Sequence, residues 1–172
     1  DVKDLSPLAS DNSTIKDFDV AIVYSLNPTS VAEIYIEKNR GFHAIGDGGD
    51  VYLMYNYVQQ LGRNAVYSVA RKYEALKMND SRPEIEQQIR DAIIANLQEE
   101  QLNNAISIQQ VFVRQILPSD GIVESANSLV QAQNELKKKR VEVETAKQEA
   151  ERIAALNANA GAVEYMQAMA TV

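Results

Sequence analysis

Apolar and polar residues alternate between Thr14 and Leu26, with the period of two that is typical of a half-buried strand. A second alternating stretch, rich in β-branched residues, runs from Ile106 to Leu117 and is stopped by Pro118. From Val51 to Tyr73 the apolar residues instead recur about every four positions, which predicts a helix with one weak point at Gly62. The pattern therefore predicts strands and helices within one small α+β domain.

Two shorter patterns predict further helices. Between Val31 and Arg40 the apolar residues fall on one helical face, just after a proline that is tolerated in a first turn. Ser81 and Glu84 have the spacing of a capping box, in which each side chain satisfies a backbone N–H at the start of a helix. An apolar face then continues to Leu102, so we expect a second long helix there.

The segment between these helices, Gly41 to Asp50, contains four of the seven glycines and is predicted to be a turn-rich connection without regular structure. We expect Asp50 to cap the helix that follows. Asp47 and Asp50 could offer oxygen ligands to a cation, but the ligand spacing of an EF-hand is absent, so we interpret both as turn residues. His43, the single histidine, is interpreted as a loop residue without a catalytic role.

The C-terminal third predicts one long helix from the cap at Ser119 and Asp120 to about Met169. Between Asn134 and Arg152, 11 of 19 residues are charged, six basic and five acidic. Such a segment cannot be a core helix, and we interpret it as an exposed rod. Beyond Leu156 the composition changes to Ala, Met and Asn, which indicates a buried or partner-facing end.

A thin apolar line follows this rod, because Leu129, Leu136, Val143 and Ala150 recur every seven residues. The positions four residues later are polar (Gln133, Arg140 and Lys147), so the segment is not a leucine zipper. We expect it to pack beside neighbouring copies with oppositely charged flanks in contact. The candidate oligomerisation residues are Leu129, Leu136, Lys138, Arg140, Glu142, Val143, Glu144, Lys147, Ala150 and Glu151.

The basic run Lys137 to Arg140 has a second interpretation, contact with anionic lipid. On a helix, however, these four charges spread around the circumference and meet nearby glutamates, which favours a solvated face or charge pairing between subunits. A net charge of −7 and a pI near 4.8 argue against a nucleic-acid partner, because phosphate binding requires clustered cations.

Catalytic and cofactor motifs are absent from the sequence. The chain has no cysteine and one histidine, which excludes thiolate sites, disulfides and a shared-histidine metal site. No Gly-x-Ser-x-Gly elbow or Gly-Lys-Ser/Thr phosphate loop occurs. Carboxylates are plentiful, but no pair is singled out. We therefore predict a protein that is not an enzyme and has no cofactor or metal.

Four stretches together resemble the prohibitin branch of the stomatin/prohibitin/flotillin family, also called the SPFH or band 7 family. They are Lys16–Pro28, a strand with a tyrosine and a proline exit; Ile45–Gly46 with Val66–Ala75; Ser81–Ile85; and Ile106–Pro118 leading into Ile122–Ala126. The resemblance runs from about Asp11 to Ala162. It departs from the family in the glycine-rich loop, and in lacking the membrane anchor and the first strands that the family normally has.

The resemblance implies an α+β fold, a small mostly antiparallel sheet with packed helices over residues 1–118, followed by a helical coiled-coil rod over 119–156 and an Ala/Met-rich end over 157–172. It also implies a membrane-associated scaffold, with its soluble domain on one side of the membrane, that assembles into a ring or cage and organises a membrane patch. The implied partners are copies of itself or a related subunit, lipid through an anchor not present in this chain, and a membrane-bound AAA+ protease.

A second function stays open from the residues alone. The Ala/Met-rich end, Ala158 to Val172, would suit an adaptor that binds one partner protein as a small discrete oligomer.

Overall fold

The computed structural model describes residues 1–170, which form two compact units, residues 1–123 and residues from 124 onward. The first unit contains β1 (Val2–Leu5), β2 (Ile15–Leu26), α1 (Val31–Glu37), β3 (Ala44–Ile45), β4 (Val51–Tyr52), α2 (Tyr55–Ala70), α3 (Arg82–Glu99) and β5 (Ile106–Pro118). Helix α4 (Asp120–Met169) begins in the first unit and makes up the second. The α+β class and the long C-terminal helix predicted from the sequence are confirmed.

The central sheet is antiparallel, with strand order β1-β2-β5. The two long strands, β2 and β5, are the two that the alternating patterns predicted, and they pair from Leu26 with Ile106 to Ile15 with Pro118. Their alternation places one set of side chains, including Phe18, in the core. A pairing this long between distant segments fixes the framework of the domain.

Helices α2 and α3 pack together beneath the sheet and fill the core. Helix α3 buries Ile85, Ile89, Ile93 and Leu97, the face that its periodicity predicted. Helix α2 buries two adjacent rows rather than the single predicted stripe, because Val58, Gly62 and Val66 are buried beside Leu61, Ala65 and Val69. Tyr57, which also lies on the predicted stripe, is only half-buried.

Strand β5 lies at one edge of the three-stranded sheet, and side chains from the α3 region bond its backbone. Glu86 accepts a hydrogen bond from the Val113 N–H at 2.8 Å, and Asn79 donates to the Ile116 carbonyl at 3.2 Å. Edge strands with free backbone groups can recruit other chains. These bonds restrict that possibility along β5.

The N-terminal residues form a strand that the hydrophobic pattern did not predict. Val2 and Leu5 of β1 are buried against β2, and Asp4 between them has a positive φ of 55° at an irregularity in the pairing. A four-residue strand with two charged residues carries too little alternation to be recognised from sequence.

The glycine-rich connection is more regular than predicted. Ala44 and Ile45 pair with Val51 and Tyr52 as a two-stranded ribbon, and Gly49 takes a φ of 82° in its turn. Asp50 does not cap α2, since the helix begins at Tyr55 after Met54. The backbone N–H of Gly46 instead donates to the Asp50 carbonyl at 2.8 Å, so Asp50 closes the ribbon.

The capping box predicted at the start of α3 does not form. The Ser81 side chain makes no capping hydrogen bond, and Glu84 instead accepts from Gln88 one turn later. Arg82 donates to the Asn79 side chain at 3.0 Å. The helix begins where predicted, but tertiary packing of Ile85 rather than a reciprocal cap holds its first turn.

Gly62, predicted as a weak point, is a packing requirement. It is buried on α2, and a Cβ there would collide with the Ile22 side chain and approach Val2 Cγ2 at 3.2 Å. Glycine lowers helix stability relative to alanine by about 1 kcal/mol. Here it permits the helix to approach the sheet closely.

Three carboxylates at the β1–β2 end of the sheet, those of Asp4, Asp17 and Asp19, lie within 4.8 Å of one another. The pKa of Asp17 is raised above its ordinary value, first by desolvation and then by the negative charges of Asp19 and Asp4. Gln115 donates to Asp17 Oδ2 at 2.8 Å, and the Asp4 N–H donates to Asp19 Oδ1 at 2.9 Å. Uncharged donors, the Gln115 amide and the Asp4 backbone N–H, therefore bond this cluster, and they do not neutralise its negative charges.

We expect Gly62→Leu to lower the free energy of unfolding by about 2 kcal/mol, because the larger side chain must displace Ile22 and Val2 from the helix–sheet contact. Denaturant unfolding followed by circular dichroism measures this change. Ser68→Leu, on the exposed face of the same helix, is the matched control and should change stability little. Equal stability of the two variants would contradict the close-packing role.

We expect Asp17→Asn to raise the melting temperature at pH 7. A carboxyl whose folded-state pKa is raised destabilises the fold when ionised, and this cost disappears as the pH falls through that pKa, which lies above 3.8. Thermal melts at several pH values should therefore show a gain that shrinks under acidic conditions. Asp80→Asn, which makes the same charge change on an exposed residue, is the control.

Candidate self-association surface

Helix α4 is 50 residues long and has no buried residue. At 1.5 Å per residue it extends about 75 Å. Residues 157–170 are exposed along with the rest, so this end is not buried within the chain, and its predicted contact with a partner stays a prediction. Ile122 in its first turn packs partly against the core, but the apolar side chains from Leu129 onward lie in solvent, so the helix has a surface available for a partner.

The predicted apolar line lies on one exposed face of α4. Leu129 is 60%, Leu136 54% and Val143 68% accessible to solvent, and Ala150 is also exposed. Seven residues are nearly two helical turns, so these side chains lie almost above one another. The four side chains therefore share one face of the helix, and their role in association stays a prediction.

The residues three positions after each member of the line complete the face, and the sequence analysis missed them. Ala132, Ala146 and Ile153 lie at these positions, and Lys139 interrupts the series once. In a heptad labelled a to g, the line occupies the a positions and these residues the d positions. The heptad spacing is present in the sequence, but three of the eight a and d residues are alanines, whose small side chains contribute little to a hydrophobic pattern.

Opposite charges flank this a/d face. The g positions before Leu136, Val143 and Ala150 are Glu135, Glu142 and Glu149. The e positions on the other side are Gln133, Arg140 and Lys147. Each helix therefore has one acidic flank and one basic flank along the same apolar face.

Few of the possible ion pairs within the helix form. Lys138 approaches Glu142 at 3.9 Å, whereas Arg140 with Glu144 and Lys147 with Glu151, which have the same spacing of four residues, are absent from the ion pairs of residues 1–170. Another pair, Arg152 with Glu149 at 2.9 Å, occurs one turn further on. The cations of the basic flank thus have no acidic partner in the described part of the chain.

The ten candidate residues divide by position. Leu129, Leu136, Val143 and Ala150 lie at a, and Arg140, Lys147 and Glu142 lie on the flanks. Lys138 lies at c, and Glu144 and Glu151 lie at b, one position further from the face. All ten are exposed.

The acidic residues of the glycine-rich ribbon do not come together with other ligands. Asp47 and Asp50 are exposed at its turn. Within residues 1–170 the acidic side chains that approach one another are instead Asp4, Asp17 and Asp19, on a different part of the domain. Asp17 Oδ1 has no hydrogen-bond partner in this cluster, but Asp17 is only half-buried and three neighbouring carboxylates do not by themselves define an ion site.

None of the helices in residues 1–170 combines the length and hydropathy required to cross a bilayer.

Comparison with known proteins gives one positive result. The model of the SPFH domain / Band 7 family matches residues 2–151, which includes the sheet, its helices and most of α4. No curated protein matches the chain significantly in a sequence search. The members of this family are generally membrane-associated, non-enzymatic scaffolds. Because the match extends over most of the chain and the sheet and long helix agree with the fold predicted from the resemblance, the chain belongs to the SPFH domain / Band 7 family.

Proposed function

We propose that this chain is a non-enzymatic, membrane-associated scaffold whose copies associate through parallel, in-register α4 helices. The assembled copies form a ring or cage, organise a membrane patch and so modulate a membrane-bound AAA+ protease. The observation that carries the proposal is an exposed a/d face with one acidic and one basic flank.

The flanks favour a parallel arrangement. In parallel helices a g residue faces the e residue five positions later on its neighbour. Glu135 would then face Arg140, and Glu142 would face Lys147. Antiparallel helices would instead bring g against g and e against e, that is, glutamate against glutamate and cation against cation.

The same pairs favour the in-register alignment. Two in-register helices form four opposite-charge contacts, whereas a shift by one heptad leaves three, because one flank then keeps only Glu135 with Lys147. Lys139 at the d position opposes tight packing at one point, and its long stem allows the ammonium to reach solvent. A polar residue within an otherwise apolar face lowers affinity but defines the alignment.

Association between isolated chains is expected to be weak. Burying Leu129, Leu136, Val143 and Ile153 contributes roughly 6–12 kcal/mol per helix when complete, while association costs about 4–15 kcal/mol. Exposed charge pairs add only about 0.2–1 kcal/mol each. Copies already held on one membrane have a higher effective concentration, so a weak interaction between their helices is sufficient for assembly there.

A second candidate is an adaptor that binds one protein as a small discrete oligomer. Tyr165, Met166 and Met169 favour it, because they are 67–68% exposed near the end of α4, where charge is scarce. The mass of the full-length protein in mild detergent separates the two functions. Assemblies of many copies support the ring or cage scaffold, whereas a dimer or trimer supports the adaptor.

We expect Ala150→Cys, at an a position, to form a disulfide-linked dimer upon mild oxidation. The chain has no native cysteine, so every disulfide reports the introduced residue. Ala155→Cys, at the outward f position of the same helix, is the matched control and should give a several-fold lower yield. Measurement is by non-reducing electrophoresis at high protein concentration.

Equal yields at the two positions would contradict association through the a/d face. If Ala150→Cys links to cysteines at d positions but not to its own copy, the helices are antiparallel.

In the Ala150→Cys background, we expect Glu142→Lys to lower the cross-linking yield about threefold to tenfold at low salt, since an attractive pair with Lys147 of the neighbour becomes repulsive. Adding Lys147→Glu to the same chain should restore the yield, because the pair is attractive again with its signs exchanged. Glu144→Lys, which makes the same charge change at a b position, is the control. High salt should reduce all of these differences.

A failure of the reversed pair to restore cross-linking, or an equal effect of Glu144→Lys, would exclude the pairing of the two flanks.

A further inference from the structure

His43 is buried in a way that the sequence did not indicate. It lies between a short helical turn, Arg40–Phe42, and β3, and it is only 7% exposed. Its Nδ1 accepts a hydrogen bond from the Met54 N–H at 2.9 Å, just before α2 begins. Asn56 donates to the His43 carbonyl at 2.8 Å, so both the ring and the backbone are fixed.

The bond from Met54 determines where the ring proton lies. Because Nδ1 is an acceptor, the proton of the neutral imidazole is on Nε2. That Nε2–H is buried and has no acceptor in the described chain. Buried donors in native proteins are almost always paired, so an unpaired one calls for an explanation.

His43 also lines a cleft of about 390 Å³, together with Tyr35, Lys38, Arg40, Ile45 and Val51. Two of the six lining residues are cations and none is a carboxylate. Neither Lys38 nor Arg40 has an ion-pair partner within 4.0 Å among residues 1–170, although Glu37 is adjacent in sequence. In a chain of net charge −7, this cleft is a local concentration of unneutralised positive charge.

The rest of the cleft wall is apolar and exposed. Tyr35 is 61%, Ile45 50% and Val51 41% accessible, and the last two hold their positions through the β3–β4 ribbon. An occupant that suits this wall has an apolar body next to its charge. Simple inorganic anions would leave these side chains in water.

We propose that this cleft, the His43 cleft, binds a phosphate monoester with an apolar substituent. Lys38 and Arg40 would supply the charge. A small displacement of the exposed side chains of the cleft wall would open Nε2–H of His43 to the occupant, and this group would donate to a phosphate oxygen. The apolar substituent would lie against Tyr35, Ile45 and Val51. The same chemistry occurs in a soluble organic phosphate and in the headgroup of a phosphatidic acid. This site is independent of the α4 surface.

The test follows the imidazole nitrogens of the 172-residue chain by NMR, which is unambiguous because His43 is the single histidine. The probes are inorganic phosphate, phenyl phosphate, and phosphatidylcholine vesicles with and without phosphatidic acid. We expect phenyl phosphate to shift the Nε2 resonance saturably, with an affinity at least threefold higher than that of inorganic phosphate. A response to the phosphatidic acid vesicles but not to phenyl phosphate identifies the lipid as the source.

Two variants define the contacts. Lys38→Gln combined with Arg40→Gln should lower the affinity at least tenfold, whereas Arg63→Gln combined with Lys72→Gln makes the same charge change on exposed residues elsewhere and should leave it unchanged. His43→Asn keeps an acceptor for the Met54 N–H but removes Nε2–H, and its affinity, followed by amide shifts, should also fall.

The proposal is overturned if no probe shifts the His43 resonance, if inorganic phosphate binds as tightly as phenyl phosphate, or if the two double variants behave alike. If His43→Asn does not fold, the double variants alone decide. Cross-linking of α4 is unaffected by any of these outcomes, so the two proposals fail separately.

Discussion

The arrangement of this protein depends on an apolar face that its own chain leaves uncovered. Helix α4 has no buried residue, and its a/d side chains are more than half exposed at Leu129, Leu136 and Val143. Burial of such side chains is the main favourable term in folding and association. The first unit already has a continuous core without them, so the helix is stabilised further only by a partner.

The domain of residues 1–123 provides the contrasting case, in which chain connectivity alone completes the core. The long β2–β5 pairing joins residues about 80 to 100 positions apart, and α2 and α3 cover the apolar side of the sheet. Close approach is made possible by Gly62, where the absence of a side chain admits Ile22 and Val2. Glycine lowers the stability of the helix itself, but this loss is offset because the close contact joins the helix to two core strands, β1 and β2.

The long, strongly periodic elements could be predicted from the sequence, since β2, β5, α3 and α4 each repeat one pattern over many residues. Features set by a few residues could not. Strand β1 is short and half charged, and the Ser81 cap was replaced by packing of Ile85. At the candidate surface the a positions were recognised from their leucines, but Ala132 and Ala146 carried too little signal. The burial of His43 depends on Met54 and α2, which no local pattern reveals.

The opposite signs of the two flanks bear on the kind of assembly. When the acidic flank of one helix contacts the basic flank of the next, the second helix still has its own acidic flank available. Such a contact is heterologous, and it closes into a ring when the rotation between neighbours permits. A dimer would satisfy both flanks of two helices at once, so charge alone allows either outcome. The small side chains of Ala132, Ala146 and Ala150 would let neighbouring helices approach closely, and close approach strengthens the contact between charged flanks in a ring and in a dimer alike.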